Sequence, residues 1–263
     1  MSDLVVTLIQ TNLFWEDKAA NLEMLANKIA LVEDASQLII LPEMFSTGFS
    51  MNPEKLAETM DGTTLQWMKT QSAKQNCIVT GSIIMEENRQ YFNRLIWMQP
   101  DGKFEYYDKR HLFAFGKEDE HYTAGNQQKI VEVNDWKINL QVCYDLRFPV
   151  WARQPKEDKY DVLLYVANWP ERRIYAWKSL LVARAIENQC YVVAVNRVGN
   201  DGNGIYHNGC SMVINPLGEI IYQKENEEDI FTITLKKDML EEIRTKFPFW
   251  KDADVFEILN DKV

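Results

Sequence analysis

Three residues with a basic, a cationic and a nucleophilic side chain each stand directly after an apolar, strand-like run. Glu43 follows Leu38-Ile39-Ile40-Leu41-Pro42, Lys109 follows Phe104-Glu105-Tyr106-Tyr107-Asp108, and Cys143 follows Ile138-Asn139-Leu140-Gln141-Val142. If these strands neighbour one another with the same polarity, the three side chains converge on one rim of a sheet, where ligands commonly bind in α/β folds. A carboxylate within hydrogen-bond reach of a thiol can take its proton, and a nearby ammonium lowers the thiol pKa and can stabilise an oxyanion. Such a set would carry out acyl transfer through a thioester. Each residue also has a plainer reading: a lone cysteine is usually a small buried hydrophobe, and Glu43 and Lys109 would by default be surface charges. His111, His121 and His207 lie in no context resembling a cysteine-peptidase signature and are read as structural or solvent-exposed.

The elements that must position these residues alternate between the two periodicities. The pattern predicts strands at 4–10, 38–41, 78–84, 94–98, 103–108, 129–133, 137–142, 161–166, 191–196, 210–214, 219–222 and 230–235. Helices are predicted where Leu22, Leu25, Ile29 and Val32 recur at three and four residues, over about 63–75, and over 174–188, where Trp177, Leu181 and Ala185 mark a core-facing stripe. Arg184 and Glu187 fall three apart on a neighbouring face. Pro100-Asp101-Gly102 reads as the turn of a hairpin. With this many strands, a mixed arrangement of two packed sheets layered with helices is expected.

The chain has 263 residues, 46% hydrophobic and 26% charged, an ordinary globular composition that can build a sizeable core. No linker or repeat divides it, so residues 1–263 are read as one domain. Lys and Arg total 29 against 39 Asp and Glu, a net charge of −10 that disfavours nucleic acid and anionic membranes as partners. Apolar runs such as Val162 to Ala167 are far too short to span a membrane, and no basic leader precedes Leu4 to Ile9. Cys77, Cys143, Cys190 and Cys210 are widely separated, with neither a disulfide framework nor zinc-ligand spacing. A cytoplasmic protein is the expectation. Gly199 to Gly204 forms a Gly-x-x-Gly-x-Gly stretch without the following Lys-Ser/Thr of a phosphate loop and is read as a turn. The apolar tail from about 246, with Phe249, Trp250 and Phe256, is expected to dock on the body or on a partner.

Leu41-Pro42-Glu43-Met44-Phe45, Tyr107-Asp108-Lys109-Arg110-His111-Leu112-Phe113 and Cys143-Tyr144-Asp145-Leu146-Arg147-Phe148-Pro149 closely resemble, in order and spacing, the three motifs of the nitrilase (carbon-nitrogen hydrolase) superfamily. The resemblance continues through Ala167-Asn168-Trp169-Pro170, Ala183-Arg184-Ala185-Ile186-Glu187-Asn188-Gln189 and Asn196-Arg197-Val198-Gly199. It implies an α/β fold, a four-layer αββα sandwich of two mixed β-sheets flanked by helices. It also implies Cys143 as nucleophile, Glu43 as general base and Lys109 as oxyanion stabiliser, with the backbone N–H of Tyr144 as a second oxyanion donor. No metal or organic cofactor is required by that chemistry. A second family glutamate lies in a Glu-x-x-x-aromatic-x-x-Gly pattern, which Glu118 fits through Tyr122 and Gly125, with Glu120 as the alternative. By the same resemblance, the helix over 174–188 and the tail, through Phe249, Trp250 and Phe256, contribute to a homodimer.

Cys-Tyr-Asp-Leu-Arg-Phe-Pro together with Tyr-Val-Ala-Asn-Trp-Pro looks most like the omega-amidase group, whose members hydrolyse the terminal amide of 2-oxo dicarboxylic acid monoamides such as 2-oxoglutaramate. The expected partner is therefore a small carboxylate amide. Arg173 is a candidate for its carboxylate because a guanidinium binds carboxylates bidentately, with Arg147 and Arg172 as alternatives. Trp169 and Phe45 are candidates for an apolar wall. Two competing readings are a nitrilase or other small aliphatic amidase on the same scaffold, and a non-catalytic binding protein that keeps the fold.

Overall fold

The computed structural model describes residues 2–32, 36–154 and 159–259. Among them thirteen strands form: β1 (Leu4–Gln10), β2 (Leu38–Ile40), β3 (Ile78–Glu87), β4 (Gln90–Met98), β5 (Phe104–Asp108), β6 (Ile130–Val133), β7 (Trp136–Val142), β8 (Val162–Ala167), β9 (Tyr191–Asn196), β10 (Val198–Asn200), β11 (Tyr206–Ile214), β12 (Ile220–Glu225) and β13 (Asp229–Leu235). One sheet runs β13-β1-β2-β3-β4-β5 and the other β10-β11-β9-β8-β7-β6, with β12 paired to β11. Both sheets are mixed. Parallel pairing links β1, β2 and β3 in the first and β7, β8 and β9 in the second, and the flanking strands pair antiparallel.

The unbroken apolar runs follow from burial of each sheet on both faces. Leu38 and Ile40 of β2 point into a core between the sheets, where they meet Leu164 and Val166 of β8 and Val193 and Val195 of β9. Their alternates Ile39 and Leu41 face outwards onto Leu25 and Ile29 of α1 (Lys18–Ile29) and Leu65 and Met68 of α2 (Thr63–Gln75). On the opposite side Leu163, Tyr165 and Ala167 pack against Trp177, Leu181 and Ala185 of α3 (Ile174–Asn188). A period of two along each central strand thus builds the four αββα layers. The Asp17 carboxylate caps α1, accepting from Ala20 N at 3.0 Å.

Several elements exceed the expected spans. β3 and β4 continue to a two-residue turn at Asn88-Arg89, both left-handed, so the hairpin is longer than the apolar stretch at 94–98 indicated. β10 and the first half of β11, on either side of Gly202 and Gly204, form a second hairpin around the glycine-rich turn. Helix α4 (Lys237–Lys246) was not legible: its apolar face is short, Leu240 and Ile243 with half-buried Met239, while Lys237 and Arg244 are buried by bonding to Asp161. The tail beyond α4 docks in part. Gln189 donates to Phe247 O at 2.7 Å and accepts from Trp250 N at 3.2 Å, and Ile258 packs on the core. Phe249, Val255 and Phe256 remain exposed. No helix among the described residues is long and apolar enough to cross a membrane.

Candidate active site

Glu43, Lys109 and Cys143 do meet, but across two sheets and not along one rim. Glu43 and Lys109 follow β2 and β5, which share a sheet and a polarity with β3 and β4 between them, whereas Cys143 follows β7 of the facing sheet. Each exit is fixed by its local sequence. Pro42 ends β2, and Met44, at φ 43°, is left-handed, with its N–H on Ser82 Oγ at 2.9 Å. Lys109 N still bonds Asn93 O at 3.0 Å, so the side chain leaves from the end of the β4–β5 ladder. Cys143 is itself left-handed, φ 44°, at the head of a 3-10 turn over Cys143–Arg147. That strained conformation is held by Asp145, which accepts from Val142 N at 3.0 Å, Tyr107 Oη at 2.8 Å and His111 N at 3.0 Å. Asp145 thereby ties the cysteine turn to the segment that carries Lys109.

Around these exits lies a buried polar ring. Lys109 Nζ donates to Glu43 Oε1 at 2.9 Å and to both oxygens of Glu118, at 3.0 and 2.8 Å. Asn93 Nδ2 donates to Glu43 Oε1 at 2.8 Å and to Glu118 Oε1 at 3.1 Å. Phe113 N binds Glu118 Oε2 at 2.6 Å, and Asn168 N binds Glu43 Oε2 at 2.8 Å. Burial alone would pull the Lys109 ammonium down, but Glu118 and Glu43 more than reverse this and hold it above its ordinary value. Glu118 is raised, because its burial and the nearby Glu43 outweigh Lys109. Burial first, and then the charge of nearby Glu43, push the Cys143 thiol well above the usual range, against the pull of Lys109. That direction favours the thiol over the thiolate in the resting site.

Cys143 opens into a cavity of about 190 Å³ whose walls include Phe49, Phe113, Tyr144, Trp169, the loop residues Asp201 and Asn203, and His207 of β11. Arg147, Arg172 and Arg173 also line it, and among the described residues none of the three pairs with a carboxylate. Arg147 lies over Trp169 and Arg173 over Phe113, at 5.0 and 4.9 Å from the ring centroids. Burial, with Arg172 adding like charge, lowers the Arg173 pKa. An acidic protein thus keeps three guanidinium groups beside its thiol with no carboxylate partner among the described residues.

The carbon-nitrogen hydrolase family model matches residues 5–245. The chain belongs to the carbon-nitrogen hydrolase family. It is 43% identical to omega-amidase YafV of Escherichia coli K12 over 259 residues, 98% of this chain and all of that one. It is 32% identical to 2-oxoglutaramate amidase of Bacillus subtilis, covering 82% of this chain and 85% of that one. The crystal structure of XC1258 from Xanthomonas campestris, a CN-hydrolase superfamily protein, superposes with a TM-score of 0.95 at 45% identity, over 98% of this chain and 100% of that one.

In this carbon-nitrogen hydrolase the two glutamate alternatives separate cleanly. Glu118 is fully buried on Lys109, whereas Glu120 is exposed, with Lys117 as its nearest cation at 3.8 Å. Arg173, Arg147, Arg172 and Trp169 all reach the cavity. Phe45 does not. Its ring turns to the helix layer and fills the space left by Gly81, where a Cβ would lie 2.7 Å from Phe45 Cδ1, and it meets Trp67 at 5.8 Å. His207, expected to be structural or exposed, is buried in the cavity wall with Nδ1 3.0 Å from Ile205 O, and burial and Arg197 lower its pKa to about 4. His111 stacks on Phe148 and bonds Asp145, a structural role. Asn93, Asn168 and Asp145 were missed as site residues. Asn168 and Asp145 sit inside quoted motifs, which was the available signal; Asn93 had none. Cys77, Cys190 and Cys210 are buried and unpaired, with burial raising their thiols to about 11, 12 and 12.

Proposed function

We propose that the protein is an omega-amidase that hydrolyses the terminal amide of 2-oxo dicarboxylic acid monoamides, such as 2-oxoglutaramate, to the acid and ammonia. The observation that carries this reading is the pairing, in one small cavity, of the Cys143 thiol and its buried Glu43–Lys109 neighbours with three arginines that have no carboxylate partner among the described residues. The omega-amidase and 2-oxoglutaramate amidase relatives support the same substrate class.

Chemistry starts as Cys143 Sγ attacks the amide carbon while Glu43 accepts the thiol proton, so no free thiolate has to form. Negative charge moves to the carbonyl oxygen, and Lys109 Nζ and the backbone N–H of Tyr144 donate to it; such donors supply much of the rate in acyl transfer. Glu118, bonded to Lys109 through both oxygens, positions that ammonium. Collapse breaks the C–N bond, Glu43 returns its proton to the departing nitrogen, and ammonia leaves a thioester on Cys143. Water then gives its proton to Glu43 and attacks the thioester, releasing the acid and restoring the thiol. Arg173, with Arg147 or Arg172, binds the distal carboxylate, and Trp169 closes the wall.

The test is an ammonia-release panel of 2-oxoglutaramate, 2-oxosuccinamate, succinamate, glutamine and aliphatic nitriles, with Cys143→Ala as blank. Activity on 2-oxo amides that Cys143→Ala abolishes is expected; strong turnover of glutamine or nitriles without 2-oxo amides would sink the substrate reading. The site draws on both sheets, which supports residues 1–263 as one domain. The exposed Phe249, Val255 and Phe256 support a homodimer, and a monomeric mass by light scattering would count against it. Four unpaired cysteines fit the cytoplasm.

A further inference from the structure

We propose that Asn93 is a positioning residue whose side-chain amide holds Glu43 and Glu118 in place on either side of Lys109. The proposal rests on the thioester mechanism above and deepens it. Asn93 is buried in β4 and does not line the cavity. Its NH₂ group bonds Oε1 of both glutamates, the same two atoms that accept from Lys109 Nζ, so Glu43, Lys109, Glu118 and Asn93 close a four-member hydrogen-bonded ring. Two carboxylates facing one ammonium repel each other, and a second, neutral donor shared between them fixes their separation without adding charge. The arrangement has a visible cost. Asn93 Oδ1 is buried with no hydrogen-bond partner among the described residues, so the amide is oriented for its donors and leaves its acceptor unsatisfied. The backbone adds to this, since Asn93 O accepts from Lys109 N and places strand, ammonium and amide in one register.

The test uses Asn93→Asp, which keeps the shape but replaces the NH₂ donor with an acceptor, and Asn93→Ser, which shortens the side chain without adding charge. Steady-state kinetics on 2-oxoglutaramate and the rate of Cys143 alkylation by iodoacetamide without substrate are measured on protein whose cooperative melting has been checked. The expected kcat loss is about 10-fold for Asn93→Ser and about 100-fold for Asn93→Asp, the worth of hydrogen bonds to charged groups, with KM changed less than about twofold. Alkylation should slow in Asn93→Asp, whose added negative charge disfavours the thiolate further, and rise in Asn93→Ser, where Glu43 is no longer held beside the thiol. A normal kcat in Asn93→Asp, or a loss confined to KM, overturns the proposal. If the wild-type protein turns over no 2-oxo amide, the substrate reading has failed, and the alkylation rates decide on Asn93: equal rates in all three proteins overturn it. Should Asn93→Asp not fold, Asn93→Ser carries the same comparison.

Discussion

Replacing Glu43 with glutamine should move two properties of Cys143 in opposite directions. The wild-type thiol is held above its ordinary range by burial and then by the Glu43 charge. An ordinary thiol is roughly 10% ionised at pH 7.5, so Cys143 must carry less thiolate than that. A unit charge about 4 Å from another is worth about 4 kcal/mol at an effective dielectric near 20. Glu43→Gln removes that charge and leaves burial and Lys109 in place. With relaxation of the site taking up part of the energy, iodoacetamide should alkylate Cys143 about 10- to 100-fold faster at pH 7.5, a change of about 1.4–2.8 kcal/mol. Hydrolysis loses its base at the same time, and kcat should fall by about 10²- to 10⁴-fold. The assay is the initial rate of carboxamidomethylation, followed by mass spectrometry of the Cys143 peptide, beside ammonia release under the same conditions. Wild-type alkylation should keep rising with pH through the ordinary thiol range. The reasoning would be refuted if Glu43→Gln slowed both rates in parallel, or if wild-type alkylation reached a plateau near neutrality, since either result means a preformed thiolate.

Arg173→Gln should raise KM for a carboxylate amide about 10- to 100-fold with kcat little changed, and Arg173→Lys should recover only part of this, because an ammonium cannot reproduce a bidentate guanidinium; initial-rate kinetics on acid amides and their esters separate the two. Gly125→Ala would put a Cβ 2.1 Å from Asp108 O, so the backbone leading to Lys109 must shift; about 1–3 kcal/mol of stability should be lost in urea unfolding, and kcat should fall more than KM rises. Asp145→Ala deletes the acceptor shared by Val142, Tyr107 and His111, and should cost about 3–5 kcal/mol in the same urea assay while abolishing turnover; a variant of near-normal stability and activity would contradict its role in holding the Cys143 turn.

How much of this site was legible depended on what kind of signal each residue left. Glu43, Lys109 and Cys143 stand where apolar runs end, and an interrupted period is visible in one dimension. Which sheet each run joins is not, because β2 and β7 show the same two-sided burial and nothing local says that they belong to different layers. Convergence across the inter-sheet gap therefore replaced the expected single rim. Glu118 was recoverable through its glycine partner: Gly125 N bonds Lys109 O at 2.9 Å, and its missing Cβ is what allows the chain to pass Asp108. The spacing from Glu118 to Gly125 thus records a loop that must return to the Lys109 exit. Phe45 misled because a large aromatic two residues from Glu43 reads equally well as pocket wall or core, and the choice was made by a distant glycine on β3. Asn93 left the weakest trace of all. A neutral amide beside Arg94 in a strand resembles an ordinary edge residue, and its significance appears only once two buried carboxylates are found on the same NH₂ group. Charged groups advertise a site in sequence; the uncharged donors that keep those charges apart do so only in three dimensions.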